Sequence, residues 1–151
     1  EPPPEEERHD LVAAFYKRLT SDDAETRMAA AKAWSFWEGS TSKLFPNPTF
    51  ASKYAGDKFA EAFARIECHY FTNKGFFEED GWILKNVDAI RHIPSVIVQG
   101  RYDVVCPATT AWELHRVWPE ADFHMIADAG HNSGEPGIQA KLLDYTDKFA
   151  E

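Results

Sequence analysis

The feature that most limits what this chain can fold into is an alternation that begins near Asn86: helix, strand, helix, strand, helix, joined by short connections. Residues 95–99 form a Val- and Ile-rich run bounded by Pro94 and Gly100, with the length of a strand buried on both faces of a parallel sheet. A short helix is expected over 86–92 before it, then a helix over 107–117, a second strand over 122–127 and a closing helix from about 138 to 150. Two strands do not make a stable sheet alone, because each needs neighbours to satisfy its ladder. The second half therefore reads as the edge of a larger α/β sheet, and its apolar edge should favour self-association.

The first half follows a helical period instead. Residues 10–19 carry Leu11, Phe15 and Leu19 on one face; a second helix over 22–38 opens with Asp22 three residues before Glu25, in the manner of a capping box, and Gly39 is expected to stop it. After a Ser-, Pro- and Asn-rich loop, a third helix over 51–71 should bury a stripe of Ala55, Phe59, Ala62, Phe63, Ile66 and Tyr70. The expected division is a helical region over 1–80, with an acidic Pro-rich entry segment, and the α/β region over 81–151.

With 151 residues, 44% of them hydrophobic, the chain has enough apolar surface for one core with a small added layer. A formal charge of −9 argues against nucleic acid and against an anionic membrane surface as partners. Part of the acidity is local, since Glu1-Pro-Pro-Pro-Glu-Glu-Glu7 reads as an extended, solvated segment. No apolar run reaches membrane-spanning length and no leader precedes the first helix, so a soluble, cytoplasmic protein is expected. The first residue is not Met, which suggests processing or a piece of something longer. Cys68 and Cys106 are too few for a disulfide framework and read as reduced, buried thiols. The six His residues show no ligand spacing, so neither a metal nor another cofactor is expected.

Asp103 stands just past the first strand, at the rim where open α/β sheets collect catalytic and ligand groups. A turn Asp capping the next helix is the alternative reading. His131 follows Gly130 at the end of the second strand, 28 residues later, so adjacent strands should bring the two side chains within hydrogen-bonding reach. An Asp followed in the chain by a His at such positions is two-thirds of a nucleophilic triad in the order used by α/β-hydrolases. The serine of a Gly-x-Ser-x-Gly elbow is missing: none of the eight glycines frames one, Ser133 is one position late, and Cys106 has no elbow glycines.

Ile93-Pro-Ser-Val-Ile-Val-Gln-Gly-Arg-Tyr-Asp-Val-Val-Cys-Pro107, Trp118-Pro-Glu-Ala121, Ala129-Gly-His131 and Glu135-Pro-Gly-Ile138 resemble the C-terminal portion of proline iminopeptidases, serine peptidases of the α/β-hydrolase fold. Ala33-Trp-Ser-Phe-Trp-Glu-Gly39 and Ala64-Arg-Ile-Glu-Cys-His-Tyr-Phe71 look like that family's helical cap. One local departure is Asn132, where the family pattern has a small hydroxyl residue. The resemblance implies the C-terminal part of an α/β-hydrolase fold plus a helical cap, with Asp103 and His131 as triad members. It also implies that the serine and oxyanion-hole glycines belong to an N-terminal half absent from these residues, which alone should be inactive.

Glu38, one turn after Trp34, and Glu67, four residues from both Phe63 and Phe71, lie on aromatic-lined helix faces. Each is near a helix C-terminus, where negative charge is disfavoured and a cation should compensate. The resemblance implies that Glu38 and Glu67 take the protonated amine of a peptide with an N-terminal proline, while aromatics such as Phe71 bury its ring. Alternatively, the glutamates point to water or pair with nearby cations. Arg101, Tyr102 and the five tryptophans read as packing residues. Two rival functions remain open: a related aminopeptidase or esterase of the same fold, and a non-catalytic binding module.

Overall fold

Short polar side chains set the first helix starts in the computed structural model, which describes residues 3–150. Asp10 Oδ1 accepts the Ala13 N–H at 2.9 Å and starts α1, Leu11–Leu19. Asp23, rather than Asp22, starts α2, Ala24–Thr41, by accepting the Thr26 N–H at 2.8 Å. Its own N–H is held by Ser21 Oγ, which fixes the turn one residue later than the capping-box spacing suggests. Asn47 accepts the Phe50 N–H and opens α3, Pro48–Tyr54. Gly56, with φ −65° and ψ 133°, leaves helical geometry and separates α3 from α4, Asp57–Thr72, so the single helix expected over 51–71 is two.

The chain divides into two units, one containing residues to Ser40 together with Asn47–Phe77, the other Thr41–Pro46 together with residues from Glu78. In the first, Leu19, Ala30, Ala31, Trp34, Ala60, Ala64 and Cys68 are buried together. The buried face of α4 is thus its small-residue stripe Ala60, Ala64 and Cys68, and the expected stripe is corrected: Phe59, Ile66 and Tyr70 are exposed. Small side chains let α4 approach closely enough for Ser35 Oγ to reach the Ala60 carbonyl and Cys68 Sγ the Val12 carbonyl. Burial pushes the Cys68 thiol up, whereas Cys106 is exposed, contrary to the expectation for both thiols. Gly39 does not end α2. It is buried because Ala51 and Tyr54 of α3 pack directly over it.

From Pro3 onward the entry segment is not a free extended arm; residues 1 and 2 lie outside the described residues. Pro3 is buried, Arg8 Nε donates to its carbonyl, and Glu5–Glu7 form a 3-10 turn. Glu7 pairs with Lys17 and Arg18, whose hydrogen bonds hold its carboxyl below the usual range.

In the second unit, Gly81, at φ 73°, reverses the chain immediately before α5, Trp82–Asn86. The helix expected over 86–92 is replaced by that earlier helix and a 3-10 turn, Val87–Ala89. Strand β1, Val96–Gly100, leads to α6, Ala108–Val117, then β2, Asp122–Ile126, and α7, Pro136–Ala150. The strands are parallel, with Val96 opposite Asp122 and Gly100 opposite Ile126. Val87, Trp118 and Ala121 are buried beside Ile97 and Leu114. Among the described residues the sheet has two strands, so each keeps one unpaired edge. Val96, Ile97 and Val98 are only half-buried, as an incomplete sheet requires. Trp34 and Trp118 are core residues; Trp37, Trp82 and Trp112 are exposed, with Trp112 still packing its ring against His115 and Phe123. No helix among the described residues is long and apolar enough to cross a membrane.

Arg91 ties the lead-in of β1 to the end of α6. Its Nη1 donates to both Glu120 oxygens at 2.8 and 2.7 Å and its Nη2 to the Val117 carbonyl at 2.6 Å. The Arg91 hydrogen bond holds the Glu120 carboxyl below its ordinary value. A depressed carboxylate stabilises the fold above its unfolded-state pKa and loses that contribution as pH falls through the folded value. Urea titrations should therefore show Glu120→Gln less stable than the parent at pH 7, the two converging as pH is lowered through the carboxylate range; an equal gap at all pH values would refute the ion pair's role. For Gly39→Ala, the added Cβ would lie 2.9 Å from Ala51 Cα and 3.1 Å from Tyr54 Cβ. Overpacking of about 1–3 kcal/mol should outweigh the roughly 1 kcal/mol that alanine gains in helix propensity. Its thermal unfolding midpoint should drop, and a rise would show that α3 can yield.

Candidate active site

Backbone bonds join the two strand ends before any side chain acts. The Arg101 N–H donates to the Ile126 carbonyl at 2.9 Å and the Tyr102 N–H to Ala129 at 3.0 Å. A Cβ on Gly100 would collide with the Gly130 carbonyl oxygen, so only glycine permits this approach. Arg101 and Tyr102 thus hold the loop through their amides, while their side chains are exposed.

Asp103 is turned inward by this loop, and its side chain is only 6% exposed. Its Oδ1 accepts the N–H groups of Val105 at 2.9 Å and Cys106 at 2.7 Å. Its Oδ2 lies 2.9 Å from His131 Nδ1 and 3.3 Å from Gln99 Nε2. Gln99 also donates to the carbonyls of Gly100 and Cys106, which fixes its amide. Asp103 therefore closes its own loop and binds His131 at once, but it does not cap α6, whose start at Pro107 has no side-chain cap bond.

The carboxylate is an acceptor, so in the neutral imidazole the shared proton sits on Nδ1 and Nε2 carries the lone pair. The His131 side chain is 38% exposed, which makes that nitrogen reachable from outside the loop. The main chain on both sides of the imidazole is held as well, since the Ser42 carbonyl accepts the N–H groups of His131 at 3.0 Å and Asn132 at 2.8 Å. Such a pair can take a proton from a hydroxyl and return it to a leaving group.

A second constellation belongs to the helical unit. A cavity of about 1080 Å³ is walled by Phe15, Trp34, Trp37, Glu38 and Phe71, among other residues. Trp34 Nε1 donates to Glu67 Oε2 at 2.6 Å, and its ring lies 5.3 Å from Phe15 and 5.9 Å from Phe71. Glu38 and Phe71 thus share one apolar cavity, and Glu67 is tied to its wall through the indole. Cavities of this kind bury an apolar ring while a few polar groups fix its orientation. No group of three or more His, Cys, Asp or Glu side chains among the described residues converges in a way that would hold a metal ion.

No family model matches the chain. It is 60% identical over 149 residues to a probable proline iminopeptidase of Leptolyngbya boryana, covering 99% of this chain and 46% of the relative. It is 56% identical to a proline iminopeptidase of Arabidopsis thaliana, over 97% of this chain and 39% of the relative, and 52% identical to one of Xylella fastidiosa, over 97% and 47%. Over nearly its whole length the chain is similar to one part of proteins named proline iminopeptidase. It spans less than half the length of these curated relatives. The family implies an α/β-hydrolase fold, and a two-stranded parallel sheet with flanking helices is consistent with part of one.

Two residues have roles that no local sequence pattern reveals. Glu135 stood only as one letter of a motif, yet it is buried and accepts the N–H groups of Leu44 and Gly130. The bond spans 91 residues of chain, so no local pattern carries it. Trp34 was read as packing, and its indole N–H orients Glu67 as well; the only sequence signal was an acid on an aromatic face. Trp34→Phe keeps the ring and removes the donor. Hydrogen bonds to charged groups contribute about 1.5–3 kcal/mol when buried, and this half-buried one should contribute about 1 kcal/mol. Denaturant unfolding that gives the Phe variant parental stability would mean that the indole bond is not formed in solution.

Proposed function

We propose that this chain supplies the base, its orienting carboxylate and the amine-recognition residues of a serine exopeptidase that releases proline from the N-terminus of peptides. The observation that carries the reading is the 2.9 Å bond between a buried Asp103 and an accessible His131 at the ends of adjacent parallel strands. Residues 1–80 act as the helical cap, and residues 81–151 as the C-terminal strands and helices of the hydrolase core. The serine and the oxyanion donors come from the part of the relatives that this chain does not span. Such a protein works in the cytoplasm on peptides with an N-terminal proline.

In this mechanism His131 Nε2 removes the serine proton as the oxygen attacks the proline carbonyl, and then protonates the leaving amine. Asp103 keeps the Nδ1 proton in place and stabilises the imidazolium formed in between. Water attacks the prolyl ester in the second half of the cycle, with His131 again as base. Glu38 and Glu67 bind the protonated secondary amine, while Phe71 and Trp34 enclose the pyrrolidine ring. Because a secondary ammonium brings two N–H donors, two carboxylates select a free N-terminus over an internal proline. The covalent route uses no metal and no organic cofactor.

A chromogenic proline amide tests this directly. The full-length protein carrying this chain should hydrolyse it and these 151 residues alone should not. His131→Ala should reduce kcat by roughly 10,000-fold or more, and Asp103→Asn by about 10,000-fold. Glu38→Gln and Glu67→Gln should each raise KM by about 10- to 100-fold, as loss of a charge-assisted hydrogen bond does. An alanine amide cleaved as fast as the proline amide would point to a broader aminopeptidase. A full-length protein that folds yet cleaves neither would leave a binding module.

A further inference from the structure

Glu135 is a carboxylate that the proposed chemistry does not use, although it sits next to it. It is 7% exposed. Its Oε1 accepts the Leu44 N–H at 2.9 Å and the Gly130 N–H at 3.2 Å, and its own N–H donates to the Asn132 carbonyl at 3.0 Å. Gly130 is the residue before His131. Leu44 is two residues after Ser42, whose carbonyl holds the N–H groups of His131 and Asn132. One carboxylate oxygen therefore clamps the 42–44 segment to the turn that presents the imidazole.

The space around this oxygen is already filled. A Cβ on Gly130 would lie 2.8 Å from Leu44 N and 3.2 Å from Glu135 Oε1. The buried Gly130 N–H and the half-buried Leu44 N–H share a single acceptor there, and a buried backbone donor left unpaired is costly.

We propose that Glu135 is a positioning residue for His131: as the shared acceptor of Gly130 and Leu44 it sets where the imidazole stands relative to its proton partners. The inference rests on reading His131 as the general base. The group acts as an acceptor and not as a charge, since both donors are neutral amides. Glutamine presents the same carbonyl oxygen and should replace it, whereas leucine fills the volume and supplies no acceptor.

The test uses the full-length protein with a proline amide across pH. Glu135→Gln should retain kcat within about threefold, with an unaltered pH profile. Glu135→Leu should lose about 10- to 100-fold in kcat with KM within about twofold, because a displaced base slows proton transfer while the amine and ring are bound elsewhere. Amide hydrogen exchange at Gly130 and Leu44 should be fast in the Leu variant and protected in the Gln variant. The inference is overturned by a folded Leu variant that keeps parental kcat, by a loss confined to KM, or by a Gln variant as impaired as the Leu one. If the Leu variant does not fold, the Gln variant decides alone: near-parental kcat and protected amides support the acceptor role, and a large loss or a shifted profile ends it. An inactive parental protein would instead sink the peptidase reading, and this inference with it.

Discussion

The Asp103 carboxylate is the point on which the order of the second unit depends. Four donors converge on its two oxygens: two backbone N–H groups of its own loop, the Gln99 amide and the His131 ring. A buried anion without such partners would be strongly disfavoured, and with them it becomes a fixed acceptor around which the loop must close in one way. The loop in turn binds the end of β2 through Arg101 and Tyr102. Loop shape and imidazole tautomer are therefore consequences of the same few bonds.

The helical unit is built on a different constraint. Small residues on α2 and α4 let the helices pack closely, and the large aromatics are displaced from the tightest contacts to the cavity and to the surface. That displacement gives an apolar cavity its walls. Trp34 belongs to both, with its ring buried and its N–H committed to Glu67. A carboxylate beside an apolar wall needs such a donor, or it would turn to water. Packing and the orientation of Glu67 are thus coupled through one side chain.

How much of this was legible in the sequence follows from how local each cause is. The strands and the helices that follow them stood out, because β-branched runs ended by Gly and helices begun by Pro are local signals. Asp103 and His131 could be placed at neighbouring strand ends from alternation alone. Helix ends were less legible: Asp22 and Asp23 compete for one start, and a bond from Ser21 decides between them. Gly39 is the sharper case. A glycine late in a helix reads as a stop, but here its missing Cβ makes room for α3, a demand visible only once two helices meet. The stripe on α4 failed for a related reason, since hydrophobic size was taken as the sign of burial and close approach selected small residues. Glu135 was beyond reach altogether, because its partner Leu44 lies in a loop 91 residues away.

Catalytic geometry in a divided site need not be divided equally. The bonds described for His131 come from Asp103, from Ser42 and, through Gly130, from Glu135, and all of these lie within the second unit. Since a base is useful only when its tautomer and position are settled before the substrate arrives, preorganisation of this kind lowers the reorganisation required in the reaction. Among the described residues each strand keeps one unpaired edge, whose backbone groups a further strand would satisfy. On the proposed reading, a nucleophile would meet an imidazole whose orientation the bonds from Asp103, Ser42 and Glu135 already fix.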